Sequence, residues 1–405
     1  MGAAPFQQRC VKCGKAFPHA ATFFCDACDG FLDVDYDLSR VRLRHSDNPL
    51  ERYFDLLPVR DAANQLWLGC GNTPCLHARE LGRKLGLERL YLKDETANPT
   101  WTTKDRMASV VLSFFRDVGV REFVSSSTGN SSTALAVGAQ KHPEFTVHLF
   151  VAEDFLDRVN IADSPNVRVY VLEGGTFVEA FQTAAEFAKQ RGLLAERGFF
   201  NVSRREGLKL AFLEALDQLP AAPDWYFQAV SSAMGVYGAY KGALQYRGLG
   251  RLAHLPRFCC VQQETCCPMV KAWNDGSPVI QPQHLVPHPT GIAKAILRGD
   301  PRRSYPAIYP IVKATGGQFV SVNEEEILAA QELVQSLEGI RACATSSCTV
   351  AAVQKLRERG MIAADELVVL NITGRERTTP EFPARPSEYH RVSRDSALVS
   401  PASPT

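Results

Sequence analysis

The chain has 405 residues, with 45 Lys and Arg set against 44 Asp and Glu. That length suits two or three domains with ample core. The near-zero net charge gives no global electrostatic case for nucleic acid or a membrane surface. No apolar run is long enough to span a bilayer, and the N-terminus, MGAAPFQQRC, carries no apolar h-region. A cytoplasmic location is therefore expected, with the 12 cysteines kept as thiols or metal ligands.

Residues 9–30 read RCVKCGKAFPHAATFFCDACDG. Cys10, Cys13, Cys25 and Cys28 form two CxxC knuckles, each offering two sulfurs to one ion. So short a segment has no core of its own, and metal would supply its folding energy. Residues 1–35 are expected to be a zinc-ribbon-like segment with structural zinc, the alternative being buried or incidental thiols. Residues 31–76 read as an extended, irregular lead-in. Beyond it, strands are predicted at 89–93, 121–125, 146–152, 167–172, 225–230, 258–262 and 366–371. Helices are predicted at 78–85, after Lys104, and at 131–140, 177–190, 206–218, 236–246, 324–337 and 349–359. The helix after Lys104 is well marked, because Met107, Val110, Val111, Phe114, Phe115 and Val118 recur on one face. Thr102 or Thr103 is its expected N-cap. Cys259, Cys260, Cys266 and Cys267 read as small buried hydrophobes. The tail after Pro380, rich in Pro, Ser and charge, reads as disordered.

Strands alternating with helices imply parallel sheets covered on both faces, with ligands at the carboxyl ends of the strands. Four turns there carry chemistry. The first, NPTWTTKDR at 98–106, puts Lys104 at a helix N-terminus. The helix dipole and Arg106 both disfavour its charged form, and a neutral amine is what Schiff-base chemistry with an aldehyde cofactor needs. The second, SSSTGNSS at 125–132, offers free amides and the hydroxyls of Ser127, Thr128 and Ser131 to a carboxylate, with Gly129 allowing close approach. Asn130 can donate to a phenolate oxygen on a cofactor ring. The third, Ser231, Ser232, Ala233, Met234 and Gly235, suits a phosphate. The fourth sets Thr373 beside Gly374 after the last strand, where a neutral hydroxyl can face a ring nitrogen or simply cap the chain.

These four turns, in this order, resemble the fold-type II pyridoxal-phosphate enzymes, most closely threonine synthase and its relatives, including cysteate synthase. Residues 98–106 resemble that family's NPTGSFKDR motif, residues 127–130 its STGN loop, residues 71–74 its GxTP entry and residues 291–301 its AIRIGNP stretch. The resemblance runs over roughly residues 69–376. It implies an α/β fold of two parallel-sheet three-layer domains: a large pyridoxal-phosphate domain of residues 36–104 plus 225–382, and a small domain of residues 105–224 holding the carboxylate loop. A disordered tail at 383–405 completes the expected organisation. It further implies that Lys104 binds pyridoxal 5′-phosphate and acts as catalyst, and that Asn130, Ser231–Gly235 and Thr373 contact that cofactor. Ser127, Thr128, Gly129 and Ser131 would hold an amino-acid substrate, and the enzyme would be a homodimer.

Trp101 stands where the family motif has glycine, and the SSAMG loop has fewer glycines than usual. A basic group of Lys294, Arg298, Arg302 and Arg303 either meets a phosphate or sulfonate or is solvated surface charge. The reading is a lyase or synthase that eliminates a β- or γ-leaving group, as from phosphohomoserine, and adds water or another nucleophile. Alternatives are a β-replacement synthase making a non-standard amino acid, a serine/threonine dehydratase, or a zinc-ribbon interaction module on an inert body.

Overall fold

The computed structural model describes residues 5–127, 129–377 and 386–393. At the N-terminus β1 (Phe6–Cys10), β2 (Ala16–Phe17) and β3 (Leu32–Tyr36) form an antiparallel sheet in the order β2-β1-β3. Alternate β1 side chains, Phe6, Gln8 and Cys10, are buried, as a half-covered strand requires. The lead-in expected at 31–76 opens with β3 and ends in a strand at Cys75–His77, and between them it is irregular, with the short α1 (Pro49–Arg52) and isolated helical turns, yet it is buried through Leu50, Tyr53, Leu56 and Leu57.

The alternating part runs β4 (Cys75–His77), α2 (Arg79–Leu85), β5 (Arg89–Asp94), α3 (Lys104–Asp117), β6 (Glu122–Ser126), α4 (Asn130–Lys141), β7 (Thr146–Ala152) and β8 (Val167–Leu172). It continues through α5 (Phe177–Arg191), β9 (Leu194–Ala195), α6 (Val202–Gln218), β10 (Trp225–Ala229), α7 (Met234–Gly248), β11 (Arg257–Gln263) and α8 (Pro268–Asn274). The last elements are α9 (Tyr305–Ala314), β12 (Gln318–Val322), α10 (Glu324–Glu338), α11 (Ala344–Glu358), β13 (Leu367–Ile372) and β14 (His390–Val392).

The strands fall into a 6-stranded sheet, order β12-β11-β10-β13-β5-β4, and a 5-stranded sheet, order β14-β8-β7-β6-β9. All pairings in both are parallel except β4 with β5. Alternation along β10 feeds two cores: Tyr226 packs with α6, α7 and α9, while Trp225 and Phe227 pack with α10 and α11. The smaller sheet is likewise covered by α3 and α4 on one face and α5 on the other. Cys259 and Cys260 face opposite cores, and burial pushes both thiols up, as expected of packing residues. Among the described residues no helix is long and apolar enough to cross a membrane.

Two parts of the expected organisation differ. Helix α6 falls within the stretch 105–224 expected for the small domain, but its Leu210, Phe212 and Leu213 join the core beneath the larger sheet, with Tyr226 and Phe258. Helix α3 divides itself, giving Val110 to that core and Met107, Val111 and Phe114 to the smaller sheet's core. The expected disordered tail contains β14, which pairs with β8 through His390–Tyr170 and Val392–Leu172. Ser387 is bound to Asp163 just before it. The remaining tail residues, 383–385 and 394–405, and Thr128 lie outside the described residues.

Candidate active site

The turn before α3 is fixed by buried charge. Asp105 accepts from both the backbone N–H and Oγ1 of Thr100, each at 2.6 Å. Burial raises the Asp105 carboxyl to about 6. The fully buried Arg106 donates to Glu95 at 2.7 and 2.8 Å, to Glu214 at 2.6 Å and to Thr73 Oγ1 at 2.9 Å. Glu214 also accepts from Lys93 Nζ at 3.2 Å and the Asn72 N–H at 3.0 Å. Burial alone would raise Glu214, but Arg106 and Lys93 overcome it and hold the carboxylate at about 2. Thus the turn at 71–74 and the lysine turn share one ionic lock.

A second connection comes from the loop after β13. The Thr103 N–H donates to the Thr373 carbonyl at 2.9 Å, and the Arg375 N–H to the Trp101 carbonyl at 3.0 Å. Trp101 takes a left-handed φ of 60°, and the Arg375 guanidinium stacks 3.3 Å from its ring centroid. This zipper brings Thr373 beside Lys104. Thr103 occupies the N-cap position of α3 without a side-chain cap bond, whereas Thr102 Oγ1 accepts from the Lys104 N–H at 3.4 Å. The Lys104 side chain has no carboxylate partner among the described residues. Burial, and then the charge of Arg204, lower its amine to about 8.

The turn before α4 is held differently. Ser127 Oγ accepts from the Gly129 N–H at 3.2 Å, and Ser131 Oγ from Arg204 Nη1 at 3.3 Å. Gly129 has φ 124°, and a Cβ there would lie 2.8 Å from the Arg158 carbonyl oxygen, so only glycine fits without movement. In the third turn Ala233 adopts φ 58° as the N-cap of α7, a conformation glycine would take at less cost. Ser232 Oγ and Ser126 Oγ are buried and have no hydrogen-bond partner among the described residues.

One cavity is lined by Lys104, Ser127, Asn130, Ser131, Ser231–Gly235 and Thr373 together. Gly129 lies between lining residues of the second turn, and Thr128 falls outside the described residues. Of the basic group only Arg298 reaches the cavity. Lys294 is exposed, Arg302 pairs with Asp300, and Arg303 stacks on Phe24 and Phe200. The only hydrogen bond of the Arg298 side chain among the described residues runs from Nε to the Asp300 carbonyl at 3.3 Å, and it makes no ion pair there. Sequence reasoning missed Arg204, Phe199 and Cys343, which also line the cavity. Arg204 gives one signal in hindsight, since Asn201 is a good N-cap and places it in the first turn of α6.

At the N-terminus the ligand atoms of Cys10, Cys13, Cys25 and Cys28 all lie within 4.8 Å of one another. The sulfurs of Cys10 and Cys28 are 3.5 Å apart and those of Cys13 and Cys25 3.7 Å. A tetrahedron with metal–sulfur bonds of about 2.3 Å has edges of about 3.8 Å, so the four thiols can hold one ion. Backbone N–H groups of Lys12, Cys13, Ala27 and Gly30 donate to these sulfurs at 3.3 to 3.5 Å, which favours thiolates.

Comparison with known proteins agrees with this geometry. Threonine synthase of Methanosarcina acetivorans is 33% identical over 377 residues, covering 91% of each chain. Cysteate synthase of the same organism is 28% identical over 388 residues, again covering 91% of each. Among solved structures, the processed form of threonine deaminase isoform 2 from Solanum lycopersicum matches with a TM-score of 0.62 at 17% identity, over 83% of this chain and 92% of that one, and so shares the fold. Residues 66–374 match the family described as pyridoxal-phosphate dependent enzyme, a stretch that includes all four cavity-lining turns. The chain belongs to the family of pyridoxal-phosphate-dependent enzymes.

Proposed function

We propose that this chain is a lyase or synthase of the threonine synthase kind, acting on an amino acid activated by a β- or γ-leaving group such as phosphate. The observation that carries the reading is the convergence of four strand-end turns on one cavity around an amine lowered to about 8. The cavity fits the cofactor. The buried Ser232 hydroxyl, without a partner among the described residues, immediately precedes the N-cap of α7, whose free backbone amides favour a phosphate. In this reading Lys104 Nζ would hold the cofactor through its aldehyde, Asn130 would serve its ring oxygen, and Ser231–Gly235 would hold its phosphate. The Thr373 hydroxyl, 3.3 Å from Ser346 Oγ, would serve the ring nitrogen without contributing a charge.

Pyridoxal phosphate, when bound, supplies the electron sink for charge developing at the substrate α-carbon. The protein supplies the rest. Ser127, Gly129 and Ser131, with the amides opening α4, hold the substrate carboxylate. Thr128 belongs to the same proposed loop. Lys104 Nζ, neutral in part near pH 8, takes a proton from the α-carbon and returns one later. Arg298 supports an anionic leaving group, since it lines the cavity and makes no ion pair among the described residues.

The cysteate synthase relative supports a second reading, β-replacement by an anionic nucleophile, which Arg298 would serve equally. One screen separates these. O-phospho-L-homoserine and O-phospho-L-serine are each supplied with water alone or with sulfite, and products are identified by mass. Threonine from the first substrate supports the leading reading; a sulfonated product from the second supports the other. Oxo-acid formation from L-threonine as the main reaction would point instead to a dehydratase. A purified protein without cofactor absorbance sinks all three.

The reading also assigns structural zinc to the four cysteines, because protein sulfurs would fill the whole tetrahedron. It makes the protein a cytoplasmic homodimer. Metal analysis is expected to find one zinc per chain, and light scattering twice the chain mass.

A further inference from the structure

Arg204 and Arg205 are consecutive in the first turns of α6, and they serve opposite sides of it. Arg204 lines the cavity and donates to Ser131 Oγ. Arg205 is fully buried, and its guanidinium lies 4.9 Å from the Phe31 ring centroid, 5.5 Å from that of Phe199 and 5.2 Å from that of Tyr237. Its Nη2 donates to the Leu32 carbonyl at 2.7 Å and to Asp33 at 3.3 Å, and its Nη1 to the Phe199 carbonyl. Asp33 in turn accepts from Lys241 Nζ and the Tyr237 hydroxyl, each at 2.9 Å. Phe31, Leu32 and Asp33 belong to the cysteine ribbon, only three to five residues past Cys28. The Val11 N–H inside the first knuckle donates to the Phe31 carbonyl at 3.0 Å, and the Leu32 N–H to the Phe23 carbonyl at 2.9 Å. Phe199, on the other side of Arg205, lines the cavity.

We propose that Arg205 is a positioning residue through which the N-terminal ribbon sets one wall of the substrate cavity. The ribbon grips the guanidinium; the guanidinium fixes the Phe199 backbone and ring; and the same helical turn carries Arg204 to the loop that opens α4. This rests on the reading of the cavity as the cofactor and substrate site. It gives the ribbon a task in binding substrate, where a free-standing interaction module would leave that site untouched. A planar, stacked and multiply bonded guanidinium suits such a joint, because it is locked in both direction and plane, which a lysine ammonium is not.

The test uses full-length protein carrying its cofactor. L-serine and O-phospho-L-serine are the probes, and the half-saturating concentration is read from the change in cofactor absorbance. Phe31→Leu and Arg205→Lys are each expected to raise that concentration roughly fivefold or more while cofactor absorbance per chain stays unchanged. Combined, they should give far less than the product of the two effects, because both break one joint. Phe6→Leu, which loosens the ribbon away from Arg205, should move the concentration less than about twofold, inside the range of independent sites. If Arg205→Lys does not accumulate as folded protein, Phe31→Leu and Asp33→Asn decide. Unchanged half-saturation in those variants, or an equal rise in Phe6→Leu, overturns the proposal. Absence of cofactor absorbance in the unaltered protein overturns the reading of the cavity instead.

Discussion

Two helix entrances face the same cavity, and they are held by opposite means. The turn before α3 is locked by Arg106, Glu95, Glu214 and Lys93, all buried, through charge-assisted bonds as short as 2.6 Å. The turn before α4 rests on one glycine, one neutral contact, Gly129 N–H to Ser127 Oγ at 3.2 Å, and one charged donor, Arg204, 3.3 Å from Ser131 Oγ, with no ion pair of its own among the described residues. Charge-assisted bonds in a dry interior are strong but costly to break, whereas neutral hydroxyl contacts yield at little cost. The difference suits the division of labour proposed above. The lysine that holds the cofactor must not move, while the loop that receives a carboxylate must take it up and release it.

The largest expected effect strikes the rigid entrance. Lys104→Ala should remove the cofactor's covalent absorbance and lower turnover by about a thousandfold or more, the range of a lost general base. A variant that kept both would end the assignment. Next, Arg106→Met leaves Glu95 buried without its partner and Glu214 with Lys93 alone, and should cost about 3–5 kcal/mol in denaturant unfolding. Ser127→Ala, in the other entrance, should cost under about 1.5 kcal/mol and act on KM. Equal destabilisation by the two would break the comparison.

The third expectation concerns pH. A cofactor-stripped sample should be trapped by pyridoxal phosphate and borohydride in proportion to neutral Lys104, half-maximal near pH 8. The neutral fraction falls about fiftyfold between pH 8 and 6. An ordinary lysine would keep gaining reactivity up to about pH 10.4. The stability effect runs the same way. Between these values the unfolded chain binds more protons than the folded one, so the cost of burying Lys104 is full below pH 8 and fades as pH rises. The smallest effect belongs to Ala233→Gly. It relieves a left-handed φ worth about 1–2 kcal/mol but loosens the unfolded chain, so net stability should change by under about 1 kcal/mol. A loss of cofactor affinity there would show that the alanine methyl, and not the backbone, matters.

Much of this was legible in the residues. The apolar face of α3 runs over several turns, and local periodicity is enough to find it. The helix expected at 131–140 forms as Asn130–Lys141, and the strand expected at 121–125 as Glu122–Ser126. What was hidden is non-local. Arg106 meets Glu214 across 108 positions, and no spacing rule connects them. Arg204, Arg205 and Glu206 are all buried, because Glu196, the ribbon and Lys209 neutralise them, and the first two of these partners are likewise not visible from local spacing. Helix α9 is absent from the predicted elements; it carries Pro306 in its opening turn, where the missing N–H costs nothing, and Pro310 in its interior, which breaks the local helix signal.

The pairing of β14 with β8 has a consequence for biosynthesis. A ribosome that has released residues up to Ile372 has supplied every strand of the larger sheet, while the outer rim of β8 still waits for His390–Val392. Until those residues emerge, a row of main-chain donors and acceptors beside Tyr170 stands open to any neighbouring nascent chain, which makes that rim the place where premature termination would seed aggregation.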